Sequence, residues 1–264
     1  IEAAKSLVAK SSLSDIKVLS QCLKKEPQWG VANRIARALG KIGGEFARDG
    51  LLKAVNSPDA KIRAGIVQAL CEFMNDAKVA RALKKIAQGD PSYRVEAGAL
   101  SSLGRIKAKN CRPFLEGFLT RPSHNDIGRS AIFRALANLE EEQAWATLIE
   151  GADYGAERGS RFSAIQGLAK LAGRFEHLKP EAINTLKRFA QETRGTPSAT
   201  FRGKLAAIQA MGELEDLSSI PTLRKLAEGE TDGRLKRRAE ETIVRLFESA
   251  KKPAEMKLIR SDLD

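Results

Sequence analysis

The chain has 264 residues, 42% hydrophobic and 30% charged, with 14 aromatics (two Trp, two Tyr, ten Phe) and nine prolines. That composition excludes disordered, collagen-like and disulfide-stapled chains. It leans helical because sheet-forming aromatics are scarce, and no apolar run approaches the ~20 residues that span a bilayer. The net charge of +12 is uneven: residues 1–132 hold 23 Lys/Arg against 12 Asp/Glu (+11), residues 133–264 hold 22 against 21 (+1), so an acidic partner or nucleic acid is a candidate for the first half.

One pattern recurs along the chain. Its clearest copies are Val31–Ile42 (VANRIARALGKI) and Val95–Ile106 (VEAGALSSLGRI); weaker ones are Ile62–Phe73, Gly128–Leu139, Ser160–Leu171, Gly203–Leu214 and Leu235–Leu246. Counting each copy from its first residue, position nine reads Leu39, Leu70, Leu103, Leu136, Leu168, Met211 and Ile243, at steps of 31, 33, 33, 32, 43 and 32. In the first copy Val31, Ile35, Ala38, Leu39 and Ile42 share one helical face, the spacing of an amphipathic helix. A second amphipathic helix is predicted between copies, at Ala47–Val55, Ala77–Gln88, Pro113–Leu119, Gln143–Glu150, Pro180–Glu192 and Ile220–Glu228. Turns join them at Asn56–Asp59, Gly89–Ser92, Arg121–Asp126 and Gly229–Gly233, with Asp, Ser and Asn placed to cap the next helix.

Each unit is therefore a helical hairpin that buries its stripe only against a neighbour. The expected fold is all-α, an α-α superhelix of about seven hairpins. Approximate repeats are 15–43, 45–74, 76–107, 110–139, 141–172, 180–215 and 218–248, with a tail at 249–264, all in one solenoid. The long step before Met211 predicts an exposed insertion loop at Arg194–Thr200, because stacking fixes the helix ends on either side.

The Ala-Leu-Gly-Lys-Ile ending at 38–42, the Asp-Pro turn at 90–91 and the ~32-residue period resemble HEAT repeats of the bacterial type first associated with phycobilin lyases, over roughly residues 15–248. More narrowly, Pro27–Ile42 and Arg121–Asp126 resemble segments in the C-terminal repeat domain of alanyl-aminopeptidase-type zinc metallopeptidases, with Ala32 where that family has Arg. The resemblance implies a tail packed on a catalytic domain. That family's H-E-x-x-H motif is absent from this sequence.

Catalytic motifs are thin. His124 and His177 are the two histidines, neither four residues from the other, and both read as solvated or packing residues; the paired His-Glu motifs that a HEAT-type iron hydroxylase requires are missing. Gly40–Gly44 lacks the strand and the Ser/Thr of a phosphate loop, so Gly40 and Gly104, both at position ten, read as close-packing points. Cys71 shares that position and reads as a small buried residue. Cys22, Cys71 and Cys111 form no C-x-x-C pair, which fits a reducing, cytoplasmic setting without structural zinc. The chain starts at Ile1 with no leader-like segment, so a longer parent protein is expected. No cofactor, metal or catalytic residue is assigned, and the chain alone is expected to be no enzyme.

Basic residues are the remaining candidates. Position two reads Ala32, Arg63, Glu96, Arg129, Arg161, Lys204 and Lys236, either a positive row for phosphates or an acidic partner, or members of local ion pairs with Asp59, Asp126, Glu157 and Asp232. Positions seven and eleven should face the concave side: Arg37/Lys41, Gln68/Glu72, Ser101/Arg105, Arg134/Asn138, Gln166/Lys170, Gln209/Glu213 and Glu241/Arg245. The candidate partner-binding residues are Arg37, Lys41, Arg63, Arg105, Arg129, Arg134 and Arg161. Glu72, Glu213 and Glu241 interrupt the positive charge, which argues against a nucleic-acid groove. The expected partner is a protein or the remainder of the parent chain, with weak non-specific nucleic-acid binding and no membrane. Trp29, Trp145, Tyr93 and Tyr154 are too scattered to stack bases and read as core and hinge packing. An aminopeptidase-type scaffold domain is the leading reading; a DNA-binding solenoid and a phycobilin-lyase-like protein are the alternatives.

Overall fold

The computed structural model describes residues 12–153, 159–193 and 197–261. Every regular element among them is helical. Contacts divide the chain into two compact units, 1–139 and 140–264.

Unit 1 holds α1 (Leu13–Lys25), α2 (Trp29–Ile42), α3 (Gly44–Ala54), α4 (Ala60–Leu70), α5 (Ala77–Gly89), α6 (Tyr93–Arg105), α7 (Arg112–Glu116) and α8 (Ile127–Leu139). Unit 2 holds α9 (Trp145–Ala152), α10 (Arg161–Arg174), α11 (Lys179–Ala190), α12 (Pro197–Leu214), α13 (Ile220–Gly229) and α14 (Gly233–Ser261). Odd-numbered helices are the outer members and even-numbered ones the inner members of seven hairpins among the described residues. Helix starts are set as the turn chemistry predicts. Ser12 and Asp15 form a reciprocal capping box on α1, Gln28 caps α2, and Asp59 and Asp76 accept the free N–H groups of α4 and α5. The turns leaving α2, α6, α8 and α12 use left-handed residues, namely Gly43, Lys107, Glu140 and Glu215, which end a helix by redirecting its last carbonyls.

In unit 1, α2 packs on α4, α4 on α6 and α6 on α8; in unit 2, α10 packs on α12 and α12 on α14. Position nine forms the seam: Leu39, Leu70, Leu103, Leu136, Leu168 and Met211 are fully buried. Ile243 is half-buried.

Position ten sets how closely inner helices approach. A side chain on Gly40 would meet the Ala69 carbonyl oxygen at 2.8 Å, and one on Gly104 would collide with the backbone of Ala135. Ala69 and Ala135 both stand at position eight of the next copy. Cys71 makes the same contact with a slightly larger residue: its thiol donates to Ser102 Oγ at 3.0 Å, again position eight, and burial pushes the thiol pKa up. Gly212 meets Thr242 in unit 2 through the same two positions.

One expectation needs correction, and one element runs past its repeat. The loop at Arg194–Thr200 is partly helix, because α12 starts at Pro197, whose fixed φ suits a first helical turn; residues 194–196 lie outside the described residues. Extra length is absorbed by an inner helix of 18 residues, against 14 in α2 and α10. The tail expected at 249–264 is helical through Ser261, as a continuation of α14.

Candidate docking groove

The first turns and the middles of α2, α4, α6 and α8 form an open trough within unit 1. One stretch of about 620 Å³ lies between α2 and α4, lined by Trp29, Asn33, Arg37, Lys41, Lys61, Gln68, Glu72 and Arg94. A second, of about 310 Å³, continues past Gln68 and Arg94 to Ser101, Arg105 and Arg134. The two share Gln68 and Arg94, so they are one surface. Positions seven and eleven of the repeat supply much of this lining, because the stripe at position nine points the other way, into the seam.

None of Arg37, Lys41, Arg94, Arg105 and Arg134 makes an ion pair with a described residue, and all are exposed. Partial desolvation by its neighbours pulls the Arg134 guanidinium pKa down. Trp29, read from sequence as packing, is 49% exposed at the trough's end, with Lys61 Nζ 5.1 Å from its ring centre. Tyr93 is also exposed; both stand in the first turn of an inner helix, outside the buried seam. Trp145 donates to Glu181 in unit 2, and Tyr154 lies outside the described residues.

Position two behaves differently. Arg63 reaches forward to Asp90, with Nε and Nη2 at 2.7 and 2.9 Å from its two carboxylate oxygens, and also holds the Ser57 and Pro58 carbonyls. The side chains are 11% and 6% exposed. Burial would raise the Asp90 pKa, but the Arg63 guanidinium and the Ser92 N–H hold it below the ordinary carboxylate value. Lys204 repeats the link with Glu230 at 2.7 Å in unit 2. At Glu96 the polarity is reversed: its carboxylate pairs with Arg121 at 3.0 Å, yet burial still pushes its pKa up. Arg129 donates to the Leu119 carbonyl and pairs with Asp126, and buried Arg161 donates to the Ala152 carbonyl while its guanidinium lies 4.9 Å from the Phe189 ring centre.

The seven basic candidates thus divide. Arg37, Lys41, Arg105 and Arg134 share the trough. Arg63 ties its hairpin to the next, Arg129 and Arg161 hold the turns that lead into their own inner helices, and none of the three lines the trough, so their assignment to a partner is corrected. The local-pair reading is corrected in detail as well. Only Asp126–Arg129 forms as spaced; Asp59 is occupied as a helix cap, Asp232 pairs with Arg234, and Glu157 lies outside the described residues. Sequence reasoning missed Lys61 and Arg94, which belong to the trough from helical first turns that the seven-and-eleven rule leaves out.

Nothing in the trough resembles a metal centre, and no three His, Cys, Asp or Glu cluster among the described residues. His177 lies exposed beside Glu142 at 3.0 Å, and His124 contacts Asn125. No helix among the described residues is long and apolar enough to cross a membrane.

Hairpins stacked through small position-ten residues, with an open face carrying unpaired cations, define an α-helical repeat protein. The family model for HEAT repeats matches residues 16–103, 48–137 and 80–169, together more than half of the sequence, and the chain belongs to that family. It is 30% identical over 125 residues to phycocyanobilin lyase subunit alpha of Nostoc sp. (strain PCC 7120 / SAG 25.82 / UTEX 2576), covering 43% of this chain and 44% of that protein. The chain therefore matches less than half the length of this curated relative. Among solved structures, the complex of CpcE and CpcF of phycocyanin lyase from Nostoc sp. PCC7120 aligns at 22% identity, covering 93% of this chain and 88% of that one, with a TM-score of 0.48. Human deoxyhypusine hydroxylase in complex with glycerol aligns at 16%, covering 92% and 99%, with a TM-score of 0.47.

The expectation that this chain alone is no enzyme is overturned by the relative named as a lyase subunit. A missing H-E-x-x-H or nucleophile motif removes only the reactions those motifs perform.

Proposed function

We propose that this HEAT-repeat protein docks a polypeptide along the trough of unit 1 and works in phycobilin-lyase-like chemistry on a chromophore-bearing partner. The observation that carries the docking is the row of exposed cations with no carboxylate partner, on a scaffold where Arg63, Glu96, Arg129 and Lys204 at position two are all paired. The 30% identity to a phycocyanobilin lyase subunit supports the chemistry. As part of the same reading, the two units are consecutive stretches of one repeat array, supported by the ~32-residue period. The aminopeptidase-tail reading rests on two sequence segments alone, and both have internal work. Gln28 caps α2, Arg121 pairs with Glu96, and Ser123 and Asp126 fasten the start of α8.

The test is to mix the chain with phycocyanobilin and apo-phycocyanin and follow covalent attachment by absorbance and by chromophore fluorescence on denaturing gels. Attachment faster than with chromophore and acceptor alone is expected. An unchanged chromophore spectrum with attachment at the spontaneous rate would overturn the lyase-like reading.

A further inference from the structure

We infer that the trough of unit 1 takes an extended, acidic polypeptide segment that places a basic residue opposite Glu72. The inference rests on the docking proposal above and names the class of its partner. Neighbouring inner helices stand ~8–10 Å apart, so the cations from α2 to α8 extend over roughly 24–30 Å. An extended chain rising ~3.3–3.6 Å per residue covers that span in about eight residues. Arg37 and Lys41 at one end and Arg105 and Arg134 at the other match carboxylates separated along such a segment.

Two features favour polypeptide over a phosphodiester chain. Glu72 lies in the lining between the two basic ends, exposed and in no ion pair with a described residue. A nucleic acid carries a charge at every phosphate and meets that carboxylate unavoidably, whereas a peptide can set a lysine there. Trp29 is a single ring with Lys61 over it, not a run of platforms for bases.

Fluorescence anisotropy at 0.15 M salt tests this with three labelled probes: a deca-glutamate, the same peptide with one central lysine, and dT20. The lysine-bearing peptide should bind most tightly, several-fold better than deca-glutamate, with dT20 weakest. Arg37→Glu with Lys41→Glu, checked for intact helicity, should weaken peptide binding at least tenfold. Glu72→Lys should reverse the preference between the two peptides. Absent peptide binding, binding indifferent to both variants, or dT20 binding tighter than either peptide would overturn the inference, the last in favour of a nucleic-acid occupant. The attachment assay separates the two proposals. Attachment without peptide binding sinks this inference alone, while peptide binding without attachment leaves it standing and sinks the lyase-like reading.

Discussion

Unit 1 and unit 2 are built on one repeat but present different inner surfaces. Position nine is buried in both, Ile243 excepted, and position ten packs on position eight of the next copy in both. Positions seven and eleven diverge. Unit 1 sets Arg37, Lys41, Arg105 and Arg134 beside a single acid, Glu72, while unit 2 offers Gln166, Gln209, Glu213 and Glu241 among its corresponding residues. Its charges are also locally balanced: Glu241 is held by Arg237 and Arg238, and Glu213 lies in the field of Arg245. Burial constrains the positions that close the seam, so they stay alike; the exposed ones are free to carry recognition, and only unit 1 has gathered like charges on them.

The comparison can be broken first at the seam. Gly104→Ala places a methyl against the Ala135 backbone, which cannot yield, whereas Gly212→Ala meets the Thr242 methyl at 3.0 Å, which can turn away. Thermal unfolding should show a loss of about 3 kcal/mol for Gly104→Ala and a change within ~1 kcal/mol for Gly212→Ala. Equal effects would mean that the two seams are not packed as described.

Next in size are the links between hairpins. Arg63→Met strands a nearly enclosed Asp90 and should cost about 2–3 kcal/mol; Lys204→Met, at a slightly wetter pair, should cost less. Both acids are held below their ordinary pKa values, Asp90 by Arg63 and Ser92 against burial, Glu230 chiefly by the Lys204 hydrogen bond. A depressed folded-state pKa gives stability that is present above the unfolded value and lost as pH falls through the folded one. The gap between wild type and each variant should therefore close in denaturation series run below about pH 4. A gap independent of pH would assign the loss to packing of the side-chain stem.

Recognition can be transplanted with a smaller effect. Gln209→Arg with Glu213→Arg gives unit 2 the charge pattern of unit 1, and heparin affinity at low salt should rise several-fold, then collapse as salt is added. No change would show that inner-face charge does not govern polyanion binding.

The smallest shift concerns Glu213 alone. Burial pushes its pKa up, with Arg245 opposing. A carboxyl with a raised folded-state pKa costs stability where it is ionised, so Glu213→Gln should raise the thermal midpoint slightly at pH 7. The advantage should vanish in acid, where the wild-type residue is protonated in both states. A midpoint that falls at pH 7 would mean that its attraction to Arg245 outweighs burial.

Much of this architecture was legible in the order of residues. A period near 32 with Leu at position nine located the inner helices to within a few residues, because burial of one stripe dictates that spacing. Small residues at position ten were readable for the same reason. The charged positions were not, since Arg63 finds Asp90, 27 residues on, through the stacking of hairpins, and local spacing pointed to Asp59, which the helix start had already claimed. Trp29 was misread because an aromatic beside an apolar stripe looks the same whether it ends inside or at the rim. Arg94 and Lys61 carried no signal in the chosen positions, and only the converging helices bring them into the trough.

The reversed pair at Glu96 and Arg121 bears on how the chain avoids misassembly. Hairpins that resemble one another can dock out of order, and repeat arrays are prone to such slips as they fold. If the hairpin bearing Arg63 skipped one neighbour, its guanidinium would face that of Arg121 instead of the Asp90 carboxylate, and the repulsion would disfavour the slipped stack. Reversing the sign of an otherwise similar link makes this junction unlike the one before it, so the order of these neighbours is written in charge as well as in the connecting turns.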